Sequence, residues 1–144
     1  MARSTARGAA MQLVYESLMG GSGENTLADL IAFQPEGDDQ AYIDRIVAGV
    51  AAHADELDDI IASCSPSREI ARIARVDLSI LRVALYEMRE EQDTPESVVI
   101  NEAVELAKRF SEPGSARFIN GVLGAVSRGE KQLPGQESGA VEAP

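Results

Sequence analysis

The sequence is poor in the residues that carry most catalytic and metal-binding chemistry. Its 144 residues include one cysteine, Cys64, one histidine, His53, and no tryptophan. A lone cysteine cannot form a disulfide within the chain, which fits a reducing compartment. Neither a zinc-type Cys/His spacing nor the nucleophile motif G-x-S-x-G is present. The sequence therefore predicts a non-enzymatic protein with no metal and no cofactor.

Long hydrophobic runs are also missing. No stretch approaches the roughly 18 apolar residues of a membrane span, and the first twenty residues lack a signal-peptide core. Apolar residues still make up 44% of the chain, which is ordinary for a globular domain. We therefore expect a cytoplasmic protein that makes no membrane contact.

Basic residues are scarce and unevenly placed. The chain has 13 Lys and Arg against 24 Asp and Glu, a net charge of -11. Residues 1–15 contain two arginines and no acid, whereas residues 16–59 contain eleven acids against Arg45 alone. Because lysine and arginine neutralise phosphates, the total argues against broad nucleic-acid binding. It leaves room for a small basic patch at the N-terminus.

The apolar residues recur at helical spacing, and no alternating stretch is long enough for a strand. We predict an all-α fold of about seven helices, with residues 1–126 as one domain and 127–144 as a disordered polar tail. The predicted helices cover 4–19, 26–33, 43–64 (one helix, or two with a break near Asp55), a short segment around 70–73, and three more that begin near Asp77, Pro95 and Ser115.

The first helix carries a candidate RNA-binding ridge. Arg3, Arg7, Met11 and Tyr15 follow one another at intervals of four residues, which places them on one helix face. Arginine binds phosphate through two parallel hydrogen bonds, and tyrosine stacks on an unpaired base. The alternative is a solvated helix start whose tyrosine covers the edge of the core.

A second basic set surrounds the predicted turn at Pro113 and Gly114. It comprises Lys108, Arg109 and Arg117. Composition alone does not show whether this set joins the N-terminal ridge. The two would form one surface only if the first and last helices pack together.

Three segments resemble the signature blocks of a known family. They read LRVALYEM at 81–88, INEAVELAK at 100–108 and FINGVL at 118–123. Their order and separation are similar to those of the transcription antitermination factor NusB family. The likeness extends over about residues 3–126, the whole predicted domain.

This resemblance implies a fold of two small helical bundles packed together and a non-enzymatic function. Family members bind the boxA element of ribosomal RNA transcripts together with the small-subunit ribosomal protein NusE. The complex joins the RNA polymerase elongation complex with other Nus factors and supports antitermination and ribosomal RNA synthesis. The family's RNA surface consists of the N-terminal basic helix, the last interhelical loop and the start of the last helix.

Carried over to this chain, the resemblance implies specific site residues. The implied RNA-binding residues are Arg3, Arg7, Tyr15, Lys108, Arg117 and Phe118, and Glu87 lies near the partner-binding surface. Family members often begin with a run of arginines, whereas Ser4 and Thr5 separate the first two arginines here. We therefore expect weak RNA binding by the chain alone, with more reliance on the ribosomal partner.

Two other functions remain open at this point. NusB-like domains also serve as RNA-targeting modules of ribosomal RNA methyltransferases, although we expect no room for a methyl-donor-binding domain after this polar tail. The other is a helical protein–protein adaptor or homodimer that does not bind RNA. Titrations with RNA, with the ribosomal protein and with both would separate these functions.

Overall fold

Helices form all the regular secondary structure in the part of the chain that the computed structural model describes, residues 3–21, 37–66 and 69–129. The helices are α1 (Arg3–Leu18), α2 (Gly37–Cys64), α3 (Arg75–Glu90), α4 (Glu96–Phe110) and α5 (Ser115–Ser127), with a 3-10 turn at Ile70–Arg72. Within these ranges no helix has the length and apolarity needed to cross a bilayer.

The all-α prediction is confirmed, and the predicted count of about seven helices exceeds the number that the described residues form. The described residues form five α-helices, because the segment around 70–73 closes only a single 3-10 turn. Residues 43–64 belong to one continuous span whose backbone departs from helical geometry at His53 (φ -120°, ψ 20°), two residues before the predicted break. The predicted helix at 26–33, and the tail beyond residue 129, lie outside the described residues.

Helix α3 lies at the centre of the packing. It contacts α1, α2 and α4, and α4 and α5 form an antiparallel hairpin against it. Leu78, Leu81 and Leu85 on α3 are fully buried, and they belong to one continuous core to which all five helices contribute. Burial of such side chains stabilises the fold by about 1.5–3 kcal/mol each.

Close contacts between helices depend on small residues. Gly49 on α2 faces the ring of Tyr86 on α3, and a Cβ at this position would overlap the phenol. Gly8 on α1 lies against the side chain of Leu106 on α4. Gly49 therefore lets α2 approach α3 at short range, whereas a Cβ at Gly8 would meet Leu106 at an ordinary contact distance of 3.7 Å.

The connection between α4 and α5 is fixed from α3. Gly114 takes a left-handed conformation (φ 98°) just before α5 begins. Asp77 is buried in the first turn of α3, and its carboxylate accepts hydrogen bonds from the hydroxyls of Ser111 and Ser115. The helix expected to begin near Asp77 begins at Arg75, where Ala74 occupies the capping position and no side chain caps the helix. Asp77 instead holds the turn that leads into α5.

Candidate nucleic-acid interface

A buried ion pair joins the first helix to the third. The guanidinium of Arg7 donates hydrogen bonds from Nε to both carboxylate oxygens of Glu87, at 2.8 and 3.0 Å, and from Nη2 to Oε2. Arg7 is only 5% exposed and Glu87 is fully buried. Two-point pairing of this kind fixes both the separation and the orientation of the partners.

Two more side chains complete this group. The Tyr42 hydroxyl donates a hydrogen bond to Oε1 of Glu87 at 3.1 Å, and Glu102 on α4 lies 3.5 Å from Nη1 of Arg7. Burial, followed by the charge of Glu87, raises the pKa of the Tyr42 phenol above its ordinary value of 10.0. Burial by itself lowers the pKa of the Arg7 guanidinium, but the bonds and charge of Glu87 outweigh it and the net shift is upward. We call Arg7, Tyr42, Glu87 and Glu102 the Glu87 cluster.

Arg3 lies above this cluster, at the surface. Its guanidinium carbon is 4.2 Å from the centre of the Tyr42 ring, and its Nε is 3.4 Å from Oδ1 of Asp39. The Arg3 side chain keeps about a third of its surface exposed (34%). A cation over an aromatic face is attracted by the ring quadrupole, so Tyr42 and Asp39 hold Arg3 at the start of α1.

The structure corrects the prediction of an exposed ridge on α1. Arg7 and Met11 are buried, Tyr15 is half-buried against the core, and Arg3 alone of the four retains a partly free cation. Glu87 is also fully buried, and its carboxylate is bonded to Arg7 and Tyr42. Direct contact of Arg7 or Glu87 with a ligand stays a prediction, and it requires the ion pair to open.

The other implied RNA-binding residues, Lys108, Arg117 and Phe118, lie near the end of α4 and on two sides of α5. Arg117 is exposed and lines a surface groove between α4 and α5. Phe118 is half-buried and lines a separate cavity of about 370 Å³ beside Ile73 and Asp77. Lys108 is exposed near the end of α4, where its ammonium lies 3.4 Å from Glu105. An exposed ion pair of this kind contributes little to stability, so the Lys108 ammonium is available to bind a ligand.

The N-terminal helix approaches α4 at only a few side chains. The contacts from Arg7 to Glu102 and from Gly8 to Leu106 place α1 next to the middle of α4. The first and last helices, α1 and α5, share no extensive contact, so the condition for a single joined surface is not met.

Sequence reasoning missed three residues that shape this region. Tyr42 holds Arg3, Glu102 contacts Arg7, and Asp77 fixes the turn before Arg117. No spacing rule could have paired them with their partners, which lie on other helices. A buried tyrosine hydroxyl does need a hydrogen-bond partner, and that requirement was the available signal at Tyr42.

The described ranges contain no group of three His, Cys, Asp or Glu side chains that could hold a metal ion. The single cysteine, Cys64, is half-buried and packs against the core. What these helices offer is cations, an aromatic side chain and hydrogen-bonding groups on α1, α4 and α5. Those groups suit binding of a polyanion with unpaired bases.

The sequence and the fold of this chain are similar to those of known proteins of one family. The NusB family profile matches residues 4–128. Transcription antitermination protein NusB of Symbiobacterium thermophilum is 37% identical over 95% of this chain and 96% of its own length, and that of Acetivibrio thermocellus is 41% identical over 88% of each. Among solved structures, T. maritima NusB has a TM-score of 0.80 at 26% identity, covering 93% of this chain and 94% of its own.

A second solved structure contains the antitermination factors NusB and NusE in complex with double-stranded RNA. It has a TM-score of 0.73 at 25% identity, and it covers 90% of this chain and 99% of its own. Both the sequence and the helical packing therefore match along nearly the whole length described. The chain belongs to the NusB family.

Proposed function

We propose that this chain is a transcription antitermination factor that binds boxA RNA of ribosomal RNA transcripts together with the ribosomal protein NusE. The observation that carries the proposal is the likeness of the whole fold to a NusB chain solved with NusE and RNA. The function is non-enzymatic. It takes place in the cytoplasm, within an RNA polymerase elongation complex that includes other Nus factors, and it supports ribosomal RNA synthesis.

The proposed RNA surface runs from the start of α1 to the start of α5. Arg3, Lys108 and Arg117 would contact phosphates, while Tyr15 and Phe118, both half-buried at the edge of the core, would pack against bases. The exposure of the three cations supports this assignment.

Arg7 and Glu87 have a different role in this proposal. Their ion pair lies beneath Arg3 and holds α1 against α3, so they would position the RNA surface without touching the RNA. An RNA phosphate that reached Arg7 would have to displace a buried carboxylate already bound at two points. The packing of Arg3 on Tyr42, a member of the same cluster, supports this view.

The small number of exposed cations makes a prediction about partners. Each phosphate contact on a single strand contributes about -0.7 to the slope of log affinity against log salt. Three cations predict a slope of log affinity against log salt of only about -2. We therefore expect the chain alone to bind RNA weakly and to cooperate strongly with NusE. Cooperation of this kind distinguishes an antitermination factor from an adaptor.

The experiment is a three-way titration of labelled boxA RNA with the chain, with NusE and with both, at two salt concentrations. The variant Arg117→Gln, with NusE present, should weaken RNA binding and reduce the salt slope by about 0.7. The matched control is Arg45→Gln, a half-exposed arginine on α2 whose guanidinium is bonded to Glu91, and it should leave both unchanged.

Two outcomes would contradict the proposal. Binding of NusE with no effect on RNA affinity would favour the adaptor. A salt slope that Arg117→Gln and Arg45→Gln reduce equally would remove the assignment of the surface around α5.

A further inference from the structure

The groove between α4 and α5 has an apolar floor and a polar rim. It has a volume of about 590 Å³, within the range of small-ligand pockets. Half-buried Ile100, Val104 and Ala116 form the floor. The exposed side chains of the rim are Ser97, Asn101, Arg117 and Asn120. We call this feature the α4–α5 groove.

The rim is chemically unusual for this protein. Although the chain has 24 acidic residues, none lines the groove, and Arg117 is its single charged lining residue. Within residues 3–21, 37–66 and 69–129, the Asn101 and Asn120 amides have no hydrogen-bond partner and Arg117 has no ion-pair partner. Each amide therefore offers both a donor and an acceptor to a ligand.

The cations lie at one end of the groove. Arg117 belongs to the first turn of α5, where backbone N–H groups also favour negative charge. On α4, Lys108 follows Val104 by one turn on the stripe that includes Ser97 and Asn101. Since α4 and α5 run antiparallel, with Ser111 bonded to Ser115 near the turn, Lys108 and Arg117 share the end next to that turn.

We propose that the α4–α5 groove binds one unpaired nucleotide of the RNA. Its phosphate lies at the Arg117 end, its base covers Ile100, Val104 and Ala116, and the amides of Asn101 and Asn120 bond to the edge of the base. An apolar floor with a few oriented polar groups is what holds an extruded base in other proteins. This inference rests on the proposed function, since it extends the same RNA surface along α4.

The test combines a protein variant with altered RNA. The double variant Asn101→Ala/Asn120→Ala replaces two exposed helical amides by the best helix former, so its fold is retained. We expect it, with NusE present, to bind intact boxA RNA about tenfold more weakly, the loss of two net hydrogen bonds. Its salt slope should match that of the wild type, because no charge is removed.

Abasic RNA locates the nucleotide. A series of boxA RNAs, each lacking one base, is titrated against wild type and double variant. At one position the two losses should not add, because the amides and the missing base belong to the same contact. The matched control is Gln92→Ala, an exposed amide on the connection between α3 and α4, which should bind every RNA as the wild type does.

Each other result overturns the inference. If the wild type with NusE binds RNA and the double variant binds it equally well, the groove inference alone fails. If the double variant loses NusE while RNA binding persists, the groove binds a protein segment. If the wild type with NusE binds no RNA at all, the proposed function fails as well, which the wild-type titration alone reveals.

Discussion

The Glu87 cluster and the α4–α5 groove use polar side chains in opposite ways. In the cluster, Arg7 and Glu87 are buried and each bonds to partners inside the protein. In the groove, Arg117 and the two asparagine amides are exposed and have no such partner among the described residues. The two arginines differ in environment, and that difference decides what each can do.

This contrast shows how an acidic protein can present a confined RNA surface. An arginine whose charge is balanced inside the fold contributes little to the field outside, whereas one without a nearby carboxylate attracts phosphate. In this structure Arg7 joins α1 to α3 through its ion pair with Glu87, whereas Arg117 lies at the surface. The net charge of -11 therefore says little about the sign of the potential at α5.

The largest expected loss of stability comes from a variant that breaks the Glu87 cluster. Arg7→Ala leaves the carboxylate of Glu87 buried with the Tyr42 hydroxyl as its remaining hydrogen-bond partner among the described residues, and removal of one member of a buried pair costs about 3–5 kcal/mol. We expect a loss of that size in the free energy of unfolding, measured by urea denaturation.

The matched control makes the same substitution in the groove. Arg117→Ala should change the free energy of unfolding by less than about 0.5 kcal/mol, because the side chain is exposed and unpaired. Equal losses in the two variants would contradict the contrast between the regions.

The second prediction separates positioning from direct contact. The double variant Arg7→Met/Glu87→Leu replaces the ion pair by apolar side chains of similar length, a change that is often nearly neutral. We expect it to lie within about 2 kcal/mol of the wild type, the remainder being the unpaired Tyr42 hydroxyl. If Arg7 acts from beneath the surface, this variant with NusE binds boxA RNA nearly as the wild type does.

A direct contact gives a different result in the same titration. If the guanidinium itself binds a phosphate, the double variant stays stable yet loses RNA affinity and a salt slope of about 0.7. That outcome would return Arg7 to the RNA surface.

Local pattern was enough to predict most helices, while the site depended on contacts that local pattern does not contain. Helices α4 and α5 begin within a residue of Pro95 and Ser115, because capping and periodic signals lie within a few residues of each other. Arg7 and Glu87 are 80 residues apart, and no spacing links them. A ridge of every fourth residue identifies a helix face but does not say which neighbour covers it.

The variant Tyr42→Phe, at the edge of the Glu87 cluster, has the smallest expected effect on the free energy of unfolding. The variant keeps the ring under Arg3 and removes the hydroxyl bonded to Glu87, which should cost about 1–2 kcal/mol near neutral pH. Because folding raises the pKa of this phenol above 10.0, the unfolded chain releases the proton first as the pH rises. The stability contributed by Tyr42 is therefore complete below about pH 10 and declines above it.

The comparison of wild type with Tyr42→Phe isolates this titration. The advantage of the wild type should shrink by up to about 1.4 kcal/mol per pH unit above pH 10, in urea denaturation between about pH 8 and 11. The Tyr86 phenol, whose pKa burial also raises, is present in both proteins and cancels in the difference. A constant difference across this range would mean that the Tyr42 hydroxyl reaches solvent, and the cluster would then resemble the open groove more than a sealed ion pair.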